Sequence, residues 1–332
     1  MRRALAFATL AAATLAAVLA SLLTGAAPLT PADVWHGLAG NPDQAHQAAT
    51  RIVRAVRAPR TAAGLLIGGA LATSGATLQA LLRNPLAEPY LLGLSGGAAF
   101  GAVLAIVTGA ANLAPWSLPL VALGGALLAI ATVLRAAAHP AAGFEPRTLI
   151  LAGVVVGAFF GALVMLLLAL APGDALRSAV FWTMGHLDTA SWTATGLLAL
   201  YVLPATAFLW ARARTLDLLM LGEDTASYLG TDVRRERVAA YLAASMLAAA
   251  AVAVAGVIGF VGLVVPHAVR LLWGAGHRFL LPAGFLLGAA FLVFADVVAR
   301  AALAPAELPV GVVTALIGVP AFVWLLRREV SR

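Results

Sequence analysis

The amino-acid sequence predicts an all-α membrane protein with about ten transmembrane helices in a single domain, residues 1–332. Two properties of the composition point to this fold class: 62% of the 332 residues are hydrophobic and only 11% are charged. Soluble domains are about 45–50% apolar and about 25% charged. A third observation is the length of the apolar segments, because about 20 apolar residues in a helix cross roughly 30 Å of hydrocarbon. Soluble globular and disordered proteins are therefore excluded.

Ten apolar segments are long enough, or nearly long enough, to be transmembrane helices. They are 4–26, 61–81, 91–110, 117–136, 148–171, 191–211, 238–257, 259–273, 279–300 and 308–326. The boundary near 256–259 is the least distinct, since almost no polar residue separates the two segments there. The first segment resembles a signal peptide, but its apolar run is longer than usual, so we expect an uncleaved anchor.

The arginines predict how the chain is oriented. All 21 basic residues are arginines, and with the N-terminus inside the ten segments place fifteen of them on the inner side. The six outer ones are Arg51, Arg54, Arg57, Arg60, Arg177 and Arg300. This asymmetry agrees with the positive-inside rule and places both termini in the cytoplasm. The net charge of +7 therefore reflects topology, and a nucleic-acid partner is excluded.

Two residue types are missing, and their absence limits the chemistry of the chain. Cysteine is absent, which excludes disulfides and thiolate chemistry. Lysine is absent too, and a P-loop requires a lysine on the nucleotide phosphates. We expect no cofactor in this chain, and any Mg-ATP would bind to a separate subunit.

Three positions suggest two internal repeats with an offset of 181 residues. The pairs are Gly75 with Gly256, Pro85 with Pro266, and Gly93 with Gly274. Because the offset equals five predicted crossings, an odd number, the two copies would have inverted topology, as in many transporters. The alternative is coincidence among 32 glycines and 17 prolines.

The first outer loop, 27–60, combines a helix start with a basic stripe. Thr30 followed by Pro31 is typical of a helix N-terminus. Farther on, arginines recur every three residues at 51, 54, 57 and 60, a spacing that keeps them on one helix face until Pro59 interrupts the helix. Guanidinium groups bind carboxylates in a bidentate manner, so we expect this stripe to dock an acidic partner. Contact with lipid headgroups is the alternative.

The inner segment 212–237 is the longest polar stretch and carries five arginines and five acidic residues. Short helices outside the bilayer are predicted here, the first containing Leu216 and the second ending at Gly230. Their mixture of leucine, tyrosine and charge suits the surface groove of a soluble partner. A solvated connector is the alternative.

Other polar residues suggest different chemistry. Ser95, in a Gly-x-Ser-Gly setting, with His267 as a base, would make an intramembrane serine hydrolase. Asp296 pairs at helical spacing with Arg300, or else relays protons as in an ion-coupled secondary transporter. A metal site is not expected, because the histidines are scattered over different segments. The ones considered are His139, His186, His267 and His277.

Several longer blocks occur in a fixed order along the chain. They are 57–60 (Arg-Ala-Pro-Arg), 75–89 with Asn84-Pro85-Leu86-Ala87-Glu88-Pro89, 92–98, 259–267, 277–282 and 306–315. Together they resemble the permease family of ABC importers for iron-siderophores, haem and cobalamin. The resemblance runs from about Arg57 to Leu326.

This resemblance implies a homodimer in the bacterial cytoplasmic membrane, two cytoplasmic ATPase subunits and an extracytoplasmic binding protein. It implies that Arg57, Arg60 and Arg300 meet acidic residues of the binding protein. The segment that contacts the ATPase would contain Leu216, Gly222, Glu223, Ala226, Leu229 and Gly230. A ferric siderophore is the first choice of substrate because it is the broadest class, and haem and cobalamin stay open. His186-Leu187-Asp188 is more polar than the family pattern, which suggests contact with substrate.

Overall fold

The computed structural model describes residues 2–39, 47–137 and 145–330, which form fifteen α-helices. The helices are α1 (Arg2–Leu23), α2 (Pro31–Ala39), α3 (Gln47–Ile52), α4 (Ala58–Leu81), α5 (Leu94–Val107), α6 (Ser117–Ala137), α7 (Pro146–Leu170), α8 (Gly173–Thr183), α9 (Trp192–Ala211), α10 (Ala213–Met220), α11 (Glu223–Tyr228), α12 (Val233–Ala255), α13 (Val261–Trp273), α14 (His277–Ala301) and α15 (Val310–Val330). His139 lies outside the described residues. The all-α fold class predicted from composition is confirmed.

The predicted spans correspond one by one to ten helical segments. Seven are long and apolar enough to cross a membrane: α1, the continuous segment Gln47–Leu81, α6, α7, α9, α12 and α14. The other three predicted spans are the shorter apolar helices α5, α13 and α15. We call the end of the bundle where α1 begins the N-terminal end, and the opposite end the distal end.

Helix α4 is the centre of the bundle, and its partners approach it through glycines. It packs against α14, α12, α13 and α9, and its residues are buried along most of its length. A side chain at Gly288 of α14 would overlap the carbonyl oxygen of Gly68 and place its Cβ 2.7 Å from the Cβ of Ala72. Such close backbone contact is how transmembrane helices associate without a hydrophobic driving force.

The segment before α4 differs from the prediction. Pro59 does not interrupt the helix, because a π-helical turn over Val53–Arg57 leads directly into α4, where Pro59 occupies the first turn. A proline lacks the amide that would bond to a carbonyl of the preceding turn, and here the carbonyl oxygen of Arg54 accepts instead from the indole N–H of Trp192 at 2.7 Å. The wider π-turn also changes the register, so the prediction of one basic face is wrong: Arg51 and Arg54 are exposed, whereas Arg57 and Arg60 are buried.

Between α12 and α13 the chain is not helical over 256–260. Helix α13 has 13 residues and is therefore about 20 Å long, too short to cross a bilayer alone. Its first turn lies beside the middle of α4, since a side chain at Gly262 would come 3.0 Å from the carbonyl oxygen of Leu71. The indistinct boundary in the sequence is thus a break inside the bundle.

The three position pairs that suggested a repeat are not equivalent in the structure. Gly75 lies within α4, whereas Gly256 ends α12. Gly93 precedes α5, whereas Gly274 follows α13. This particular alignment is therefore wrong. A correspondence between α4 and α12 fits the packing better. If these two helices are equivalent, each should contact the two helices that follow the other, and α4 contacts α13 and α14 while α12 contacts α5 and α6. The repeat itself stays a prediction.

Candidate functional site

A buried cluster of charges joins α4 and α14 at the distal end. The Arg60 guanidinium donates hydrogen bonds to both carboxylate oxygens of Asp296 at 2.9–3.2 Å and to Glu307 at 2.9 Å. Nε of Arg300 donates to the other side of Asp296 at 3.0 Å. The predicted pair of Asp296 and Arg300 is confirmed, but Arg60, 236 residues away, was missed because no sequence spacing links it to Asp296.

Arg300 of this cluster and Arg57 together also hold the C-terminus of α1. Arg57 donates to the carbonyl oxygens of Leu22 at 2.7 Å and Leu23 at 2.9 Å. Arg300 donates to the Oγ of Ser21 at 2.9 Å and to the carbonyl oxygen of Thr24. The last carbonyls of a helix have no partner within the helix, and cations are favourable near that end. The guanidinium groups therefore stabilise the end of α1.

This geometry bears on the predicted docking role of Arg57, Arg60 and Arg300. They are only 4%, 8% and 6% exposed, respectively, and they donate hydrogen bonds to groups of this chain. In this conformation the exposed arginines of the stripe are Arg51 and Arg54. The docking role stays a prediction, and it would require the cluster to open.

At the N-terminal end, the polar segment forms the two short helices that were predicted, α10 and α11. Leu216 and Ala226 are buried against the chain. Gly222 and Gly230 adopt φ angles of +117° and +84°, which favour glycine. Gly230 ends α11 as predicted, since its amide donates to the carbonyl of Ser227 and that of Thr231 to the carbonyl of Ala226, the Schellman pattern.

Ion pairs attach these helices to the bundle. Glu223 of α11 lies 2.7 Å from Arg237 of α12 and 3.7 Å from Arg83, just after α4. Asp217 of α10 accepts from the backbone amide of His277 at 3.0 Å and pairs with its Nδ1 at 2.6 Å. Burial raises the pKa of Asp217, but the hydrogen bonds and charge of His277 outweigh burial and hold the pKa below its usual value.

The outer side of the same segment exposes apolar residues. Leu221 is 65% exposed, Tyr228 91% and Leu229 61%. Of the six residues predicted to contact the ATPase, Leu229 is the most exposed apolar one. Leu216 and Ala226 instead pack α10 and α11 against the bundle. A partner would therefore meet Leu229 and the exposed Leu221 and Tyr228.

A cavity of about 560 Å³, which no sequence pattern indicated, opens on one side of the bundle. It lies between the end of α8, the 256–260 break and α15. Its lining is mostly apolar and includes Met184, Val257, Phe260, Val312, Leu316 and Val319. At one end, a side chain at Gly311 would lie 2.7 Å from the carbonyl oxygen of Val257, so α15 closely approaches the break there.

A second cavity, of about 380 Å³, lies at the distal end beside the charge cluster. Arg60, Glu307, His186 and Asp188 contribute its polar lining. Nε2 of His186 lies 3.8 Å from Asp188. Burial lowers the pKa of His186, against the opposing effect of Asp188. The polar residues singled out in the sequence thus face a cavity, as contact with a solute requires.

The remaining candidates gain no support from the geometry. Ser95 lies in the first turn of α5, while the ring of His267 in α13 packs edge-on against Phe322 of α15 at 6.3 Å. Asp296 already has two arginine partners, which leaves little room for proton transfer. Within the described ranges, no three His, Asp or Glu residues are grouped to hold a metal ion.

Comparisons with known proteins agree with this architecture. The chain is 41% identical to the uncharacterized ABC transporter permease protein YvrB of Bacillus subtilis over 298 residues, 89% of this chain and 84% of that protein. It is also 41% identical to the vitamin B12 import system permease protein BtuC of Escherichia coli over 312 residues, 94% of this chain and 91% of that protein.

A solved structure of an inward-facing metal-chelate type ABC transporter has a similar fold. The TM-score is 0.85 at 32% sequence identity, with 98% of this chain and 99% of that chain covered. The sequence pattern of the FecCD transport family matches residues 13–328, nearly the whole chain. The resemblance inferred from the sequence blocks is therefore confirmed, and the chain belongs to the FecCD transport family.

Proposed function

We propose that this chain is the membrane-spanning permease subunit of an ATP-driven importer for a metal chelate. The observation that carries the proposal is the apolar surface of Leu221, Tyr228 and Leu229 at the N-terminal end. Exposed apolar groups on a polar segment outside the spans indicate a protein partner. Because Glu223 and Asp217 tie this surface to α12 and α14, a partner bound there could move both helices.

The proposed partners follow from the family and from the composition. With no lysine in the chain, ATP hydrolysis requires separate ATPase subunits, which we place at the N-terminal end, in the cytoplasm. A second copy of the chain would cover the open side of the 560 Å³ cavity, so that two copies enclose a path for the substrate. The chain itself would form no covalent bond with that substrate.

The binding protein would dock at the opposite, extracytoplasmic end. Arg51 and Arg54 are exposed there in this conformation, although Arg54 also donates to the carbonyl oxygen of Gly37 at 2.6 Å. Arg57, Arg60 and Arg300 lie beneath them and would participate if docking opened the buried cluster. Docking would then be coupled to α1, α4 and α14, whose ends these arginines join.

The names of the relatives support a metal chelate and make a corrinoid the first substrate to test. BtuC is named for vitamin B12 import, and the solved structure is of the metal-chelate type. A ferric siderophore, the first choice from the sequence, has no specific support from these names. Siderophores and haem therefore follow cobalamin in the order of testing.

The proposal can be tested with the chain, its ATPase and its binding protein in proteoliposomes. We expect ATP-dependent uptake of cyanocobalamin or, failing that, of ferrichrome or haem. Leu229→Asp should abolish co-purification of the ATPase. Leu113→Asp is the control, since Leu113 is 81% exposed at the distal end. Uptake driven by an ion gradient without ATP, or equal ATPase binding by both variants, would contradict the proposal.

A further inference from the structure

The break at 256–260 would be costly inside a bilayer unless its backbone groups had partners. Side chains of the connector between α4 and α5 supply them. The Tyr90 hydroxyl donates to the carbonyl of Ile258 at 2.9 Å and accepts from its amide at 3.1 Å. The Glu88 carboxylate accepts from the amide of Phe260 at 2.7 Å. The connector therefore satisfies three backbone groups of the break.

Phe260 has an unusual backbone conformation within the break. Its φ is +69°, a left-handed conformation that is rare for a bulky residue and persists only where the surroundings impose it. The hydrogen bond from its amide to Glu88 is one such constraint. Contact with α15 is another, since a side chain at Gly318 would meet the Cβ of Phe260 at 2.5 Å.

This conformation places Phe260 at one end of the 560 Å³ cavity. Gly311 marks the other end, beside Val257. Gly318 lies seven residues farther along α15, which corresponds to about 10 Å toward the N-terminal end. The Phe260 side chain against Gly318, together with the lining residues Val319 and Pro320, therefore forms the floor of the cavity on the side where we place the ATPase.

The connector that carries Glu88 also reaches the proposed ATPase-binding segment. Arg83, five residues before Glu88, lies 3.7 Å from Glu223 of α11. The amide nitrogen of Gln79, in the last turn of α4, donates to the carbonyls of Ala87 at 3.1 Å and Gly262 at 3.2 Å. One short segment thus contacts both the α11 helix and the floor of the cavity.

We propose that Phe260 narrows the substrate path at the inner end of the cavity and that Glu88 is the positioning residue that holds it there. Motion of α11 would displace the connector, release the amide of Phe260 and let its ring leave Gly318. The inference rests on the proposed function, because it assumes that the cavity is part of the substrate path.

The test uses single-cysteine labelling, for which the chain has a clean background because it contains no cysteine. Val312→Cys places a thiol near the Gly311 end of the cavity. In inside-out vesicles of the assembled complex, a membrane-impermeant maleimide reports access from the inner side, normalised to labelling after denaturation. Phe260→Gly keeps the backbone conformation, since glycine readily adopts positive φ, and removes the whole side chain, including the Cβ that faces Gly318. We expect the thiol to be labelled at least roughly tenfold faster than in the parent. This is the change expected when one contact that holds a gate closed is lost.

Two further variants separate positioning from a general loss of structure. Glu88→Ala should accelerate labelling as Phe260→Gly does, while Glu88→Gln, whose amide oxygen can still accept, should label like the parent. Because Glu88 acts through Phe260, the double variant should label no faster than Phe260→Gly alone. Leu151→Ala, in α7, outside both cavities and 66% exposed, is the matched control and should not change the rate.

The inference is overturned if Phe260→Gly labels like the parent, if Glu88→Gln labels like Glu88→Ala, or if the effects of the two sites add. It is also overturned if Leu151→Ala accelerates labelling as much as Phe260→Gly does. Failure of the proposed function would give a different result, namely an unmodified complex without ATP-driven uptake of any chelate, whatever the labelling rates.

Discussion

Replacing Asp296 by Asn should destabilise the protein strongly, because it removes the negative charge between two buried guanidinium groups. Asp296 is 2% exposed and accepts from both Arg60 and Arg300. Removing one partner of a buried ion pair costs about 3–5 kcal/mol. Arg60 keeps Glu307, and Arg300 keeps carbonyl groups of α1. We therefore expect a loss in the free energy of unfolding of about 3 kcal/mol, the lower end of that range.

Glu307→Gln is the matched control. Both changes convert a carboxylate to an amide of the same shape, and both residues pair with Arg60. The side chain of Glu307 is 42% exposed, so its pair should contribute at most about 1 kcal/mol. The difference between the two variants thus isolates the effect of burial.

Equilibrium unfolding in mixed detergent micelles measures both variants. If Asp296→Asn and Glu307→Gln lose the same free energy, the cluster is not held by buried charge and the reasoning is refuted. If Asp296→Asn stays stable but loses stimulation of ATP hydrolysis by the binding protein, the cluster serves docking rather than stability.

Three other changes test the packing, the break and the attachment of α10. The free energy of unfolding of Gly288→Ala should be lower than that of Gly284→Ala by about 1–3 kcal/mol, the cost of overpacking. Both residues lie in α14, but only at 288 would the added methyl group meet α4. Equal stabilities of the two variants would refute the contact. Tyr90→Phe should lower the free energy of unfolding by about 1–3 kcal/mol, because it leaves both backbone groups of buried Ile258 without a partner. Hydrogen exchange at the amide of Ile258 should accelerate. Unchanged exchange would show that another group replaces the hydroxyl. Because the pKa of Asp217 is lowered in the folded protein, its stabilising contribution is present above the unfolded value of 3.8 and is lost as pH falls through the folded value. The protection of the α10 amides, which is the slowing of their exchange relative to that of an unstructured peptide at the same pH, should therefore decrease in acid in the parent. In Asp217→Asn the protection should be low at every pH.

The sequence predicted the elements whose causes are local. The length of an apolar segment is enough to identify a span, so ten segments were located to within a few residues at most of their ends. Caps are local too: Thr30 and Asp33 exchange hydrogen bonds at the start of α2, and Gly230 ends α11 where glycine was expected. The pair of Asp296 and Arg300 was predictable because it lies within one helical turn.

The neighbours of a residue across the bundle could not be predicted in this way. The three-residue spacing predicts that Arg57 and Arg60 lie on an exposed face, but the π-turn before α4 rotates them into the bundle. The break at 256–260 could not be seen because its partners, Glu88 and Tyr90, lie about 170 residues earlier in the chain.

By itself, then, the sequence determined the fold class, the spans, the family and the position of the segment proposed to meet the ATPase. Only the tertiary structure decided which charges are buried, where the cavity lies and which residue forms its floor. The physical reason is that hydrophobic length and capping depend on neighbours in sequence. Burial and ion pairing depend on which helices meet, and here the glycines of α4, α13 and α14 set how closely they do.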